Sequence, residues 1–266
     1  MSEQLDEHQE ALIHRVAMEA LWTEPIMDVA LERLPAPESS TVLVAEARCG
    51  YVPSFWASRL PQSTRVIALD PSRAMLDQAR QRIERSELDR QIFFVPQQVN
   101  ALSYADEVFV ATVCFSGMNT LAQARDGLSE LVRVTQSGGS LTFAVPLWES
   151  FPEAFDMFDE AFEAHRLPET RERLARFRRS FLSEGDVLGL VREFVLHDVS
   201  FERLSWEVAY NTGRELLMSP LLRETFFTQW LAHIPPEEYE AVLRYVADAV
   251  DTYFHERTFT CTVEVL

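Results

Sequence analysis

Two carboxylates each close an apolar run that reads as a strand. The run Thr41–Ala47 (TVLVAEA) carries Glu46 near its end and continues into Arg48-Cys49-Gly50-Tyr51-Val52. Arg65–Leu69 (RVIAL) is followed at once by Asp70-Pro71-Ser72. A carboxylate at the carboxyl end of a parallel strand points into the crevice above the sheet, where ligands of such sheets bind. A glycine such as Gly50 serves where backbone must approach a ligand closely or take a positive φ. The six histidines (His8, His14, His165, His197, His233, His255) are scattered and form no HxxxH or carboxylate-flanked metal pattern. His197-Asp198 has the makings of a general base, against the plainer reading of a turn histidine. No serine-centred nucleophile elbow is present, so acyl hydrolysis lacks support.

Composition narrows the chemistry further. All 24 basic residues are arginine, which excludes a Schiff-base lysine, a pyridoxal-phosphate site and a Walker-type loop. The net charge of -18 in 266 residues argues against broad binding to nucleic acid or to an anionic membrane. No run approaches the roughly 18 apolar residues of a membrane span. The acidic start MSEQLDEHQE reads as neither a signal nor a transit peptide. Cys49, Cys114 and Cys261 form no CxxC pair and read as reduced core cysteines of a cytoplasmic protein. Arg171, Arg173, Arg176, Arg178 and Arg179 form a basic segment. It is either a docking patch for an acidic partner or a solvated helix paired with neighbours such as Glu169 and Glu172. Phe151, Phe155, Phe158 and Phe162 share a helical face, which suits a core more often than a substrate box.

The elements that must position these residues alternate. Two helices over residues 5 to about 34, interrupted at Pro25, precede the first strand. A helix over Pro53–Leu60, the second strand, a helix over Arg73–Glu87 and strands at Gln91–Val95 and Val108–Phe115 follow. Next come a helix at Leu121–Val134, a turn at Gln136–Gly139 and a strand at Ser140–Val145. This order predicts an α/β protein with a mostly parallel sheet covered on both faces. Helices over Phe151–His165, Glu169–Phe181 and Glu184–Phe194 predict a helical insertion after strand five. A strand at Val199–Val208, helices from Gly213 to about His255 and a terminal antiparallel strand at Thr258–Leu266 complete a single sheet. The expectation is one domain over residues 1–266. It comprises N-terminal helices (1–36), a first half (37–150), and an insertion with the last strands (151–266).

In this order of elements and motifs the chain resembles the class I S-adenosylmethionine-dependent methyltransferases, the branch acting on small molecules, over about residues 10–266. The resemblance implies a Rossmann-like methyltransferase fold. It also implies that Glu46 holds the acidic position of the family's cofactor loop and Gly50 its middle glycine. Arg48 and Val52 replace the first and third glycines. Asp70 in Asp-Pro-Ser-Arg-Ala-Met75-Leu matches the residue that takes the cofactor's ribose hydroxyls, and Met75 the one near the adenine. Gln98 stands where an aspartate usually reaches the adenine amino group, and its carbonyl can accept the same bond. The acidic residue that opens strand four in the family is replaced by Val110, and no Asn/Asp-Pro-Pro-Tyr motif follows that strand. This weighs against amide or base-amino N-methylation.

The replaced glycines set the functional expectation. Val52 is β-branched, and Arg48 stands where the methionine part of the cofactor should pass. The chain has only eight glycines, well under the usual share of about 7%. Three readings of Arg48 stay open: it plugs the pocket, paired with Glu46 or Asp70; it points outward along a modified loop; or it grips the cofactor's carboxylate or another anion. The first gives a degenerate, non-catalytic methyltransferase-fold protein, a pseudoenzyme that binds a protein partner or a second copy of itself. The alternative is an active S-adenosylmethionine-dependent enzyme on a small molecule. Asp70 would then hold the ribose, Gln98 the adenine, and Glu46 with the Gly50 backbone the methionine end.

Overall fold

The computed structural model describes residues 7–30, 32–38, 40–84, 86–227, 231–232 and 234–266. Tertiary contacts divide the chain into two compact units, residues 1–118 with 122–145 and residues 119–121 with 146–266.

The first unit is built on a five-stranded parallel sheet, β1 (Thr41–Ala45), β2 (Arg65–Leu69), β3 (Ile92–Val95), β4 (Phe109–Cys114) and β5 (Thr135–Phe143). Val42, Leu43 and Val44 of β1 are buried together, the uninterrupted apolar run of a strand covered on both faces. The strand order is β3-β2-β1-β4-β5. The chain therefore builds outward from β1 in one direction, then returns to add β4 and β5 on the other side. That reversal lies between β1 and β4, paired from Val42↔Ala111 to Ala45↔Cys114. The crevice outside their carboxyl ends is where such sheets hold ligands.

Crossovers are made by α3 (Tyr51–Ala57), α4 (Arg73–Ile83) and α5 (Leu121–Val134). Ser72 caps α4 by accepting the Met75 N–H, and Ala74, Leu76, Ala79 and Ile83 supply its buried face. Ahead of the sheet, α1 (Glu7–Ile13), a ten-residue π-helical stretch (His14–Thr23) and α2 (Glu24–Ala30) abut one another. The expected break at Pro25 does not occur. Proline falls in the first turn of α2, where its missing N–H costs least. The expected turn at Gln136–Gly139 survives as a bulge inside β5. Phe109 faces Thr135 while Ala111, two residues on, faces Ser140, and Gly138 takes a φ of 76°. Residues 5, 6, 31, 85, 228–230 and 233, expected in helices, lie outside the described residues.

The second unit contains α6 (Pro152–Ala164), α7 (Pro168–Arg178), α8 (Glu184–Glu193), the helix Gly213–Met218 and the long helix Pro236–Tyr253. Its strands β6 (Leu204–Tyr210) and β7 (Phe259–Val265) pair antiparallel in full register, from Leu204↔Val265 to Tyr210↔Phe259. They form a sheet of their own, which corrects the expectation of one continuous sheet. The other edge of β7 meets the segment 146–151 through single bonds such as Leu147 N–H to Glu264 O at 2.8 Å. β6 begins at Leu204 rather than Val199, since Val199 and Phe201 are exposed.

Phe151, Phe155, Phe158 and Phe162 are all buried, the core reading of that face. The arginine segment is largely paired internally. Arg171 holds Asp159 and lies near Glu163, Arg176 faces Glu172, and Arg178 stacks over Trp148 and Phe155. The three cysteines are buried and unbridged, with Cys49 on a loop rather than a strand. Among the described residues no helix is long and apolar enough to cross a membrane, and no group of side chains could hold a metal ion.

Candidate functional site

The loop that leaves β1 carries the site. Its backbone path is the one a glycine-rich loop would take, with two positions held by larger residues. Glu46 has a φ of 52°, Arg48 of 49° and Gly50 of 83°. Each left-handed non-glycine residue costs on the order of 1–2 kcal/mol, so the loop must be held in place from outside. Asp70 does this from the end of β2. Its Oδ2 accepts the Arg48 N–H at 2.9 Å and its Oδ1 accepts the Ser72 N–H at 2.9 Å. The Ala47 N–H also bonds the Leu69 carbonyl at 2.7 Å. Gly50 is required twice over, by its positive φ and because a Cβ there would lie 2.7 Å from the Cβ of Ala79 on α4.

A cleft opens beside this loop at the carboxyl ends of β1 and β4. It is small and is lined by Glu46, Arg48, Tyr51, Val52, Phe115 and Ser116, with His14, Glu19 and Thr23 from the π-helical stretch. Wide π turns recur at functional sites, and here the stretch is secured on both sides. The Trp22 indole N–H bonds the Phe115 carbonyl at 2.7 Å. Arg82 of α4 pairs with Glu19 and donates through Nε to the Cys49 carbonyl at 3.0 Å.

Burial governs the charges. It pushes Glu46 up to about 7, against the lowering effect of Arg48 and of the Val99 N–H, with Asp70 raising it further. Burial also raises Asp70, while Arg48 and the two backbone donors pull it down. His14 is forced down to about 3 by burial first and then by the nearby Arg48, so it is neutral in ordinary conditions. The Arg48 guanidinium lies 3.8 Å from Glu46, longer than the 2.7–2.9 Å or so of a direct charge-assisted hydrogen bond. The cluster thus sets two carboxylates, Glu46 and Asp70, against one guanidinium.

The structure distributes the expected site residues unevenly. Glu46 and Arg48 line the cleft together, and Asp70 joins them through the Arg48 backbone. Asp70 is wholly buried, so a ligand hydroxyl reaches it only when the Arg48 peptide gives way. Gly50 shapes the loop from behind. Met75 is packed in a small core with Ala11, Cys49 and Ala74, and Gln98 is exposed; neither is among the lining residues.

Several contributors were not read from sequence as site residues. His14, Glu19 and Thr23 lie on a helix with no motif, and the π register that turns them inward has no sequence signature. Gly117 has a signal in hindsight. It is one of eight glycines, follows β4, takes a φ of 81°, and leaves room for Glu46, whose Cγ would be 2.7 Å from a Cβ there. His233 lies outside the described residues, and His197 and Asp198 are exposed and are not among the residues that line the cleft.

Comparison with known proteins bears on this site. Residues 44–139 match a methyltransferase domain family. A demethylmenaquinone methyltransferase of Bacteroides fragilis is 31% identical over 96 residues, 36% of this chain and 38% of that protein. A ubiquinone/menaquinone biosynthesis C-methyltransferase of Klebsiella pneumoniae is 25% identical over 167 residues, 62% of this chain and 61% of that protein. The chain thus spans between 38% and 61% of the length of these relatives. A demethylmenaquinone methyltransferase of Beutenbergia cavernae is 26% identical, covering 71% of this chain and 78% of that protein. Among solved structures, the YcgJ protein from Bacillus subtilis superposes with a TM-score of 0.57 at 14% identity over 90% of this chain and 94% of its own. Phosphoethanolamine N-methyltransferase 2 of Haemonchus contortus gives 0.53 at 12% identity, covering 99% of this chain and 58% of its own. At such identities the structural likeness speaks for the fold.

Proposed function

From the premise that residues 44–139 form a class I methyltransferase domain of the S-adenosylmethionine-dependent superfamily, we propose that this chain is an active methyltransferase on a small molecule. The carrying observation is the charge balance of the cleft, two buried carboxylates facing one guanidinium at the switch point of the sheet. S-adenosylmethionine is a net cation, with a sulfonium, an ammonium and a carboxylate. Carboxylates beside a guanidinium are the donor types that such a group would call for.

When bound, the cofactor supplies a methyl group on a sulfonium that an acceptor nucleophile can displace. The chain's own contribution is alignment and exclusion of water, which can account for much of such a rate. Glu46 offers a carboxylate to the cofactor's ammonium. Asp70 offers the ribose diol its carboxylate once the Arg48 peptide moves. His14, held neutral, adds no charge to the cleft, and with its pKa near 3 it is too weak a base to take a proton usefully at neutral pH. Relatives named as menaquinone and ubiquinone methyltransferases support a small organic acceptor for this chain.

The second reading is a non-catalytic protein acting through a protein partner or a second copy. It is favoured by the covered Asp70 and by Arg48 standing in the cleft. Calorimetric titration with S-adenosylhomocysteine separates the two. The enzyme reading expects micromolar binding that Asp70→Asn weakens at least tenfold. Absence of heat and of any thermal shift with the native protein leaves the non-catalytic reading standing.

A further inference from the structure

Strand β6 has β7 on one side and, among the described residues, no strand on the other. An open side of this kind presents a row of backbone N–H and C=O groups to any further strand. Proteins commonly blunt such an edge with proline, with a bulge or by keeping the strand very short. None of these devices is present in β6. Its seven residues, Leu204-Ser-Trp-Glu-Val-Ala-Tyr210, include no proline and pair with β7 without a break in register.

Two further observations point to what covers this edge. The segment ahead of β6 keeps the alternation of a strand, yet Val199 and Phe201 are exposed and lie in no strand. A strand signal without a strand partner in the chain suits a partner supplied from outside. The second observation is charge. Arg203 and Glu207 are both exposed and four residues apart, so with Ser205 they fall on one face of an extended chain. Arg203 donates through Nε to Glu264 at 2.9 Å and lies 3.7 Å from Glu149, and its fork has donors for a further carboxylate. Glu207 makes no ion pair among the described residues.

We propose that the edge of β6 pairs antiparallel with β6 of a second copy of this chain, centred on Ser205, to give one four-stranded sheet across a two-fold axis. Such an interface is isologous, each residue i facing j and j facing i. With Ser205 on the axis, Arg203 of each copy faces Glu207 of the other, and Leu204 faces Trp206. Phe201 faces Ala209, which draws the strand-like lead segment into the pairing. Opposite charges directly across a strand pair are favourable and like charges unfavourable. A centre on Glu207 sets two carboxylates against each other, and a centre on Arg203 sets two guanidinium groups together. Centres on Leu204 or Trp206 pair no opposite charges. The register about Ser205 therefore follows from charge. It holds whether or not the cleft binds a cofactor, because every residue it uses lies between Val199 and Glu264.

Sedimentation equilibrium of the full chain tests the pairing, with dimer expected to dominate by about 100 µM. Glu207→Arg turns both opposite-charge pairs into like-charge ones and is expected to raise the dimer Kd at least roughly tenfold. The position is exposed, so unchanged urea stability of the variant shows that the fold is kept. Ser205→Cys reads the register. Directly opposite residues of an antiparallel pair have Cα atoms about 4.5–5.5 Å apart, within disulfide range, so this variant should cross-link into a dimer under mild oxidation. Ala209→Cys, equally exposed, should not, since the two copies of residue 209 lie about 27 Å apart along the paired strands. The native cysteines are buried and add little background. A chain that stays monomeric at about 100 µM overturns the proposal and leaves the edge to an extended segment of another protein. A dimer indifferent to Glu207→Arg, or one that cross-links at 209 in place of 205, is built on another surface and overturns it as well.

Discussion

Glu46 is poised to titrate near neutrality, and that has a measurable consequence for stability. Its pKa in the folded protein is about 7, raised by burial and by Asp70 despite Arg48; in an unfolded chain it is near 4.3. A carboxyl group with a raised folded pKa binds its proton more tightly when folded. Its penalty is therefore absent below about pH 4, grows as pH rises between the two values, and is complete above about pH 7. At 1.36 kcal/mol per unit, the full effect is roughly 3–4 kcal/mol. Glu46→Gln mimics the protonated form. It is expected to leave urea stability nearly unchanged at pH 4.5 and to raise it by about 3–4 kcal/mol at pH 8. An unchanged pH profile would mean that Glu46 is not buried as described. The same group links ligand to proton. A cation placed against Glu46 favours its ionised form, so binding of S-adenosylhomocysteine at pH 7 should release a fraction of a proton. Calorimetry in two buffers of different ionisation enthalpy reads that fraction directly, and no buffer dependence would argue against the ammonium lying at Glu46.

Elements explain why part of this site could be read in advance and part could not. Strand ends are local. The runs around Val42–Val44 and Arg65–Leu69 are apolar and short, so Glu46 and Asp70 could be placed at their carboxyl ends from sequence alone. The helix over Leu121–Val134 came out with its expected bounds because its apolar spacing is regular. The bulge in β5 and the separate β6–β7 sheet depend on partners distant in the chain, which no local pattern encodes. The π-helical stretch is the same kind of feature, stabilised by tertiary contacts to Phe115 and Arg82 rather than by its own residues. Arg82 binds two things at once, the Glu19 carboxylate and the Cys49 carbonyl. Arg82→Met strands a largely buried carboxylate, already pushed up by burial, and is expected to cost about 3 kcal/mol in urea unfolding. Adding Glu19→Gln should recover most of that, a coupling a double-mutant cycle measures. Amide exchange over residues 14–23 should quicken in the single variant. Glycine positions separate strain from crowding. Gly138→Ala carries strain alone, since nothing lies within 4 Å of the added carbon, and should cost about 1 kcal/mol. Gly50→Ala adds a 2.7 Å overlap with Ala79 and should cost at least twice as much.

At the scale of the molecule, every residue that lines the cleft falls between His14 and Ser116. The unit that contains them, residues 1–118 with 122–145, also contains all five strands of the parallel sheet. The fixtures of the loop are internal to it as well: Asp70 on Arg48, Arg82 on Glu19 and Cys49, and Trp22 on Phe115. A compact unit with its own core can fold by itself. Residues 1–145 expressed alone are therefore expected to unfold cooperatively in urea and to bind S-adenosylhomocysteine within about tenfold of the full chain. Methyl transfer to any acceptor found for the full chain then tests whether the second unit takes part in the reaction. A fragment that folds but does not bind would mean that the cleft depends on residues 146–266, and the assignment of the site to the first unit would fall. A fragment that binds and still transfers methyl groups would place acceptor recognition in the first unit too, leaving the second without a role in the reaction.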